Sequence, residues 1–214
     1  MPLVTAPPEA EPGARRDRDV ALLAESRSTP DRFGALFDAY YPEIRRYAEA
    51  RLGADLADDV ASETFLVAFR GRARFDTGAG GGQVRAWLYG IATNLIRRHR
   101  RGEQRRYRAL ARADSPLAVQ AHDEQVAAQV SAQALRRELA VALAGLSRRE
   151  RDTLLLVALS GLDYAEAAMA LGIPYGTVCS RLGRARRKVR EALGGSDPTR
   201  EWLETANPKG QPNG

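Results

Sequence analysis

The stretch YAEAAMALGIPYGTVCSRLGRARRKVREAL, Tyr164 to Leu193, sets Gly172 and Pro174 between two runs in which apolar residues recur every three or four positions. Two helices joined by a short glycine-containing turn are the sequence form of a helix-turn-helix. Proline is tolerated at the start of a helix, where its missing N–H would have had no partner. The spacing therefore predicts a first helix over 164–171, a turn at Gly172 and Ile173, and a second helix starting at Pro174. On the second helix Val178, Leu182, Ala185 and Val189 form one stripe for a core. Thr177, Ser180, Arg181, Arg184 and Lys188 form another, about a third of a turn away. Short hydroxyls beside long basic donors on a face the core does not use are what a major-groove reader needs. A terminal helix whose arginines are merely solvated would carry the same charges; the turn and the proline start favour the DNA-reading alternative.

The rest of the chain extends the helical period. In FGALFDAYYPEIRRYAEARL the apolar positions Phe33, Leu36, Phe37, Tyr40, Ile44, Tyr47 and Leu52 mark an amphipathic helix that Pro42 is expected to kink or break. In ADLADDVASETFLVAFRGRARF, residues Leu56, Val60, Ala61, Thr64, Phe65 and Ala68 share a face. That pattern stops at Asp76 to Gly82, a glycine-rich stretch expected to form a flexible loop because consecutive glycines forfeit too much backbone entropy inside a helix. A third helix follows in QVRAWLYGIATNLIRRHRR, with Val84, Trp87, Leu88, Ile91, Leu95 and Ile96 inward and arginines crowding its carboxy end, where they suit the helix dipole. No alternating β-branched run is long enough for a strand. The fold class is all-α, two small helical domains joined by a linker, with the helix-turn-helix in the second. The expected divisions are a disordered arm over 1–29, a first domain over 30–102, a partly helical linker over 103–130, a second domain over 131–194 and a disordered tail over 195–214.

With 214 residues, 44% hydrophobic and 28% charged, the chain suits a globular protein. It has no apolar run long enough to span a bilayer, and its amino terminus lacks the apolar block of a signal peptide, so a cytoplasmic location is expected. One cysteine, Cys179, rules out an internal disulfide, and with His99 and His122 it makes no zinc-type cluster. No metal or cofactor is expected. No Ser-His-Asp, Cys-His or phosphate-loop pattern is present, so no enzymatic activity is expected. A formal net charge of +6 favours an anionic partner. One reading helix is nonetheless a weak anchor, since a good base contact contributes about 1–3 kcal/mol of discrimination. A dimer partner, a second DNA-contacting domain or a larger machine has to supply the rest.

Two stretches together resemble a known family. LADDVASETFLVAFRGRARFD followed by VRAWLYGIATNLIRRHRR is similar to the core-binding and promoter-melting domain of bacterial RNA polymerase sigma factors of the extracytoplasmic-function (ECF) group. ALAGLSRRERDTLLLVALSGLDYAEAAMALGIPYGTVCSRLGRARRKV is similar to that group's second domain, which reads the −35 promoter element. The resemblance implies a non-enzymatic factor whose partners are core RNA polymerase and promoter DNA, in a group that often adds an anti-sigma factor, with no membrane insertion. It implies docking of 56–69 on the polymerase through Asp55, Asp58, Asp59 and Glu63, an acidic outer face, with Phe65 and Leu66 adding apolar contacts. It places capture of a base flipped from the −10 element on Phe75, Trp87, Tyr89 and Asn94, with Arg85, Arg97, Arg98 and Arg101 holding the backbone. Such a site needs stacking surface and edge-recognising polar groups. On the −35 side it places base reading on Ser180 and Arg184, and Thr177, Arg181 and Arg186 nearer the phosphates. Ser62, Cys179 and Gly183 depart from the residues common in the group.

A dimeric helix-turn-helix regulator working without polymerase would share the carboxy-terminal half. It would leave the acidic face and the aromatic and asparagine positions of the first domain without a use.

Overall fold

Each segment with an apolar period is helical in the computed structural model, which describes residues 12–76, 83–112 and 124–194. In chain order the helices are α1 (Pro12–Glu25), α2 (Gly34–Leu52), α3 (Ala54–Gly71), α4 (Val84–Arg98), α5 (Arg100–Arg112), α6 (Glu124–Gly145), α7 (Arg148–Ser160), α8 (Tyr164–Leu171) and α9 (Tyr175–Ala192). Short 3-10 turns at Pro30–Phe33 and Arg72–Arg74 complete the described residues, which contain no strand. The all-α expectation holds.

The first half is a bundle of α1 to α5. Leu36, Tyr40, Ile44 and Tyr47 of α2 pack with Val60, Ala61, Phe65 and Ala68 of α3 and with Leu88, Ala92 and Ile96 of α4, all buried. Pro42 neither breaks nor ends α2. It deletes one intrahelical hydrogen bond, and the buried side chains on either side of it carry the helix through. Phe37, expected inward, is more than a third exposed and stacks against Tyr41 with ring centroids 4.8 Å apart.

The region expected to be a disordered arm needs correction from residue 12 onward. Residues 12–25 are helical, Leu23 is fully buried, and Asp19 accepts a hydrogen bond from the Tyr40 hydroxyl. Few apolar residues occur in this segment, so no period announced it; tertiary contacts rather than propensity hold it. Residues 1–11, the glycine-rich residues 77–82 and the tail from 195 lie outside the described residues.

The segment expected to be a linker begins as helix. Residue α5 Tyr107 is buried, and so is Glu103. The second half, α6 to α9, closes around Leu143, Leu146, Leu154, Leu156, Leu162, Ala167, Val178, Leu182 and Val189. Both short helices ahead of α9 carry reciprocal capping boxes: Ser147 with Glu150 on α7, and Asp163 with Glu166 on α8. Each satisfies two N–H groups that a helix start leaves over. Gly172 ends α8 in the left-handed conformation at φ 62°, which a Cβ would disfavour, and this sets the angle at which α9 leaves.

Candidate nucleic-acid interface

On α9 the core stripe is as expected: Val178, Leu182, Ala185 and Val189 are buried. The second stripe faces outward. Ser180 and Arg184 are exposed, Thr177 and Arg181 are half-buried, and the Ser180 hydroxyl donates to the Thr177 carbonyl at 3.1 Å. The Lys188 ammonium donates to both carboxylate oxygens of Glu150, at 3.1 and 2.9 Å, and Arg184 stands 3.7 Å from the same carboxylate. Burial acts to raise the Glu150 pKa, but the hydrogen bonds from Lys188 and Ser147 prevail and hold it at about 2. Arg186 is half-buried and lies off the stripe, where its charge reaches the hydroxyl of Tyr164. It lies half a turn from Thr177, on the side α9 turns toward α8.

Arginines from both halves converge beside this stripe. Burial lowers the pKa of Arg181, and the positive charges of Arg149, Arg97 and Arg184 lower it further, against the pull of Asp152. Crowded cations of this kind create a positive potential that an anion relieves.

On α4 the candidates divide. Trp87, Ile91, Asn94 and Arg98 recur at i, i+4, i+7 and i+11, a single stripe. Trp87 is half-buried with its ring 4.8 Å from that of Phe75, which is also half-buried; Asn94 is exposed. The Asn94 carbonyl accepts from Arg97 at 2.7 Å, and Arg98 donates to Glu63 at 2.9 Å. Arg101 is exposed at the start of α5. Tyr89 does not join this group. It is 2% exposed, with its ring 5.2 Å from that of Tyr47, so it is not open to a base in this arrangement. Burial, with the nearby Glu43 charge, pushes its hydroxyl well above the usual range. Arg85 is turned inward as well: it donates to Glu43 at 3.0 Å and to the Ser160 carbonyl.

On α3, Asp55, Asp58 and Asp59 are exposed and Glu63 is half-buried. Arg45 and Tyr41 each donate to Asp58 at 2.9 Å, and the Arg45 hydrogen bond, ahead of that from Tyr41, lowers the Asp58 pKa. Leu66 is 46% exposed. Phe65 is 3% exposed, edge-on to Phe33 and Phe37, so it supports the face from within and is not a contact on it. Phe37 and Val67 are the exposed apolar neighbours that a periodic reading did not place on this surface.

A buried charge cluster also went unnoticed in the sequence. Arg51 is fully buried, bonded through Nε to Glu103 at 2.7 Å and through Nη2 to Asp152 at 2.6 Å. Asp152 also accepts from Arg97 at 2.8 Å. Burial opposes the Arg51 charge, and Tyr47, Glu103 and Asp152 more than restore it. The signal was present: Arg51 sits four residues after Tyr47, on the apolar stripe, where a charge requires partners.

Comparison with known proteins fits this geometry. Residues 36–106 match the family model Sigma-70 region 2, and residues 136–189 match Sigma-70, region 4. The ECF RNA polymerase sigma factor EcfG of Rhodopseudomonas palustris is 35% identical over 156 residues, 72% of this chain and 81% of the relative. The RNA polymerase sigma factor CnrH of Cupriavidus metallidurans is 30% identical over 184 residues, 83% of this chain and 95% of the relative. A solved structure of CnrH in complex with the cytosolic domain of CnrY has a TM-score of 0.58 at 24% identity, covering 83% of this chain and 98% of that one. RpoE from Bartonella quintana, solved in complex with the anti-sigma factor NepR, has a TM-score of 0.51 at 24% identity, covering 77% of this chain and 98% of that one. The two structural likenesses establish a shared fold.

Proposed function

The chain belongs to the ECF group of RNA polymerase sigma factors, and from that premise we propose how its surfaces divide the work. It binds core RNA polymerase and directs promoter recognition, DNA melting and transcription initiation. Its partners are the core enzyme and promoter DNA, and solved structures of the same fold are complexes with the cytosolic domain of CnrY and with the anti-sigma factor NepR. No helix among the described residues is long and apolar enough to cross a membrane. We assign the chain to the cytoplasm, where its polymerase is, and we assign it no catalysis of its own.

Residues 30–102, with α1 packed on them, form the polymerase-docking and −10 domain, and residues 131–194 form the −35 domain. The α3 face of Asp55, Asp58, Asp59, Glu63 and Leu66 docks on the polymerase, with Phe37 and Val67 at its edge. The outward stripe of α9 enters the major groove: Ser180 and Arg184 face base edges, while Thr177, Arg181 and Lys188 hold phosphates. On α4 the Trp87–Asn94–Arg98 stripe receives the flipped base. Extrusion costs a few kcal/mol of stacking and pairing. The Phe75–Trp87 pair offers ring surface to offset it, Asn94 offers an amide for the base edge, and Arg98 and Arg101 offer charge for the backbone. Each reading module is weak alone; tethering both to one polymerase raises their effective concentration.

The observation that carries this assignment is the opposite charge of two outward helix faces, acidic on α3 and basic on α9, in a chain of net charge +6. Run-off transcription with sigma-free core polymerase on a promoter library tests it. Discrete transcripts that require both components are expected. Protein that footprints a palindrome unaided and yields no transcript would instead establish a dimeric regulator.

A further inference from the structure

Helix α5 carries charge that neither reading surface uses. Its 13 residues, RRGEQRRYRALAR, hold six arginines and one carboxylate, so most of the chain's net charge of +6 sits on one short helix. The carboxylate is committed inward, since Glu103 is buried and bonded to Arg51. Arg101, Arg105, Arg108 and Arg112 fall at i, i+4, i+7 and i+11, a single stripe on the side of α5 away from buried Glu103 and Tyr107, and all four are exposed. Like charges at these spacings repel and destabilise a helix. A face that is only solvated mixes its signs, as α2 and α3 do where Arg45 pairs with Glu49 and Asp58. Arg97 and Arg98, just before α5, rest on Asp152 and Glu63. Among the described residues none of the four stripe arginines forms an ion pair.

The stripe fits a regular array of phosphates. At a rise of 1.5 Å per residue it is about 16 Å long, which matches the axial rise of about four or five phosphates on one strand of a duplex. Guanidiniums repeated with no amide, hydroxyl or carboxylate on the stripe suit backbone contact rather than reading of base edges. The place of α5 in the chain says which phosphates these are. Only His99 separates it from α4, so Arg101 continues the Asn94–Arg98 stripe assigned to the −10 element. The chain leaves that surface through α5 on its way to the −35 domain, as the duplex leaves the −10 element on its way to the −35 element.

We propose that the α5 stripe of Arg101, Arg105, Arg108 and Arg112 is a third promoter contact, a sequence-independent clamp on the phosphates of the spacer duplex that adjoins the −10 element. It adds affinity without specificity, so the two weak reading surfaces keep their discrimination while the complex as a whole is held. The clamp rests on the sigma reading above.

The test compares holoenzyme formed from the full chain and sigma-free core polymerase with holoenzyme carrying Arg105→Gln, Arg108→Gln and Arg112→Gln together. Glutamine keeps the helix propensity, and Arg101 stays in place because it adjoins the −10 site. Binding is measured between about 50 and 200 mM salt, on a promoter from the run-off screen that is mismatched across the −10 element so that melting does not enter. Each lost phosphate contact removes about 0.9 from the slope of log affinity against log salt, so the triple variant should flatten the slope by about 2.7. Its deficit in affinity should then be about fortyfold larger at the low salt than at the high. Association with core polymerase alone should not change. Neutral methylphosphonate linkages in the spacer beside the −10 element should weaken wild-type holoenzyme and leave the triple variant nearly unaffected. Equal salt slopes with intact wild-type run-off would overturn the clamp alone. Weaker binding of the variant to core polymerase would also overturn it, by showing that the stripe meets an acidic protein surface, as would neutral linkages that weaken both holoenzymes alike. A wild-type factor that yields no run-off would overturn the sigma reading and the clamp with it.

Discussion

Helices α3 and α9 use their inner faces alike and their outer faces in opposite ways. Each buries a regular apolar stripe, Val60, Ala61, Thr64, Phe65 and Ala68 in one and Val178, Leu182, Ala185 and Val189 in the other. Outside, α3 presents Asp55, Asp58 and Asp59, and α9 presents Arg184, Arg187 and Lys188. Burial therefore explains why both are helices and says nothing about what either touches. The sign and placement of the outward charge carry that information. An acidic face repels DNA and suits a basic protein surface, whereas a basic stripe with hydroxyls suits a groove.

The contrast breaks first where a side chain reads bases. Arg184→Ala should weaken use of the cognate promoter by about 1–3 kcal/mol and relax discrimination at one position, with polymerase binding unchanged. Competition run-off on wild-type and single-base-variant promoters measures this, and lost polymerase binding would remove the assignment. The converse substitution on α3 is Asp59→Lys. It should weaken association with core polymerase about tenfold, or about 1.4 kcal/mol, while the free factor's weak DNA affinity stays the same or rises. Fluorescence titration with core enzyme decides this, and unchanged affinity would contradict docking by α3.

The smallest effect sharpens the basic side. Glu150 restrains Lys188 and stands near Arg184, so Glu150→Gln should free both cations while keeping the capping hydrogen bonds that glutamine can also make. The expected stability loss near neutral pH is about 0.5–1 kcal/mol. Because the folded pKa of Glu150 is depressed to about 2, this contribution is present above the ordinary carboxylate range. It fades as pH falls from about 4.5 toward 2. Urea melts of both proteins should therefore converge in acid; a gap at pH 2 as large as at neutral pH would show that the ion pair is not its source.

Much of this was legible from residue order. The 3.6-residue period located α2, α3, α4, α8 and α9, and the Gly172–Pro174 spacing located the helix-turn-helix. The capping boxes were not read from the sequence, although Ser147-x-x-Glu150 and Asp163-x-x-Glu166 have the spacing of that motif. What was missed depends on contacts distant in sequence. α1 lacks a period of its own and is held by Leu23 and by Asp19 on Tyr40. Periodicity also cannot tell which aromatic on a crowded helix faces out, which is why Phe37 was placed inward; the period put Phe65 on the buried face correctly, and only the resemblance offered Phe65 and Tyr89 as open contacts. The partners of Arg85 and Arg97 lie across the chain, at Ser160 and Asp152. The resemblance marked them as DNA contacts, whereas the fold first uses them to join its two halves.

The most direct measurement uses Cys179, the one cysteine in the chain, which lies half-buried on α9. A cleaving iron chelate attached there in the complex with core polymerase should cut promoter DNA in a single cluster around position −35, with the cuts disappearing when core enzyme is omitted. Cutting around −10, or equal cutting of a palindromic site without polymerase, would contradict the assignment of α9 to the upstream element.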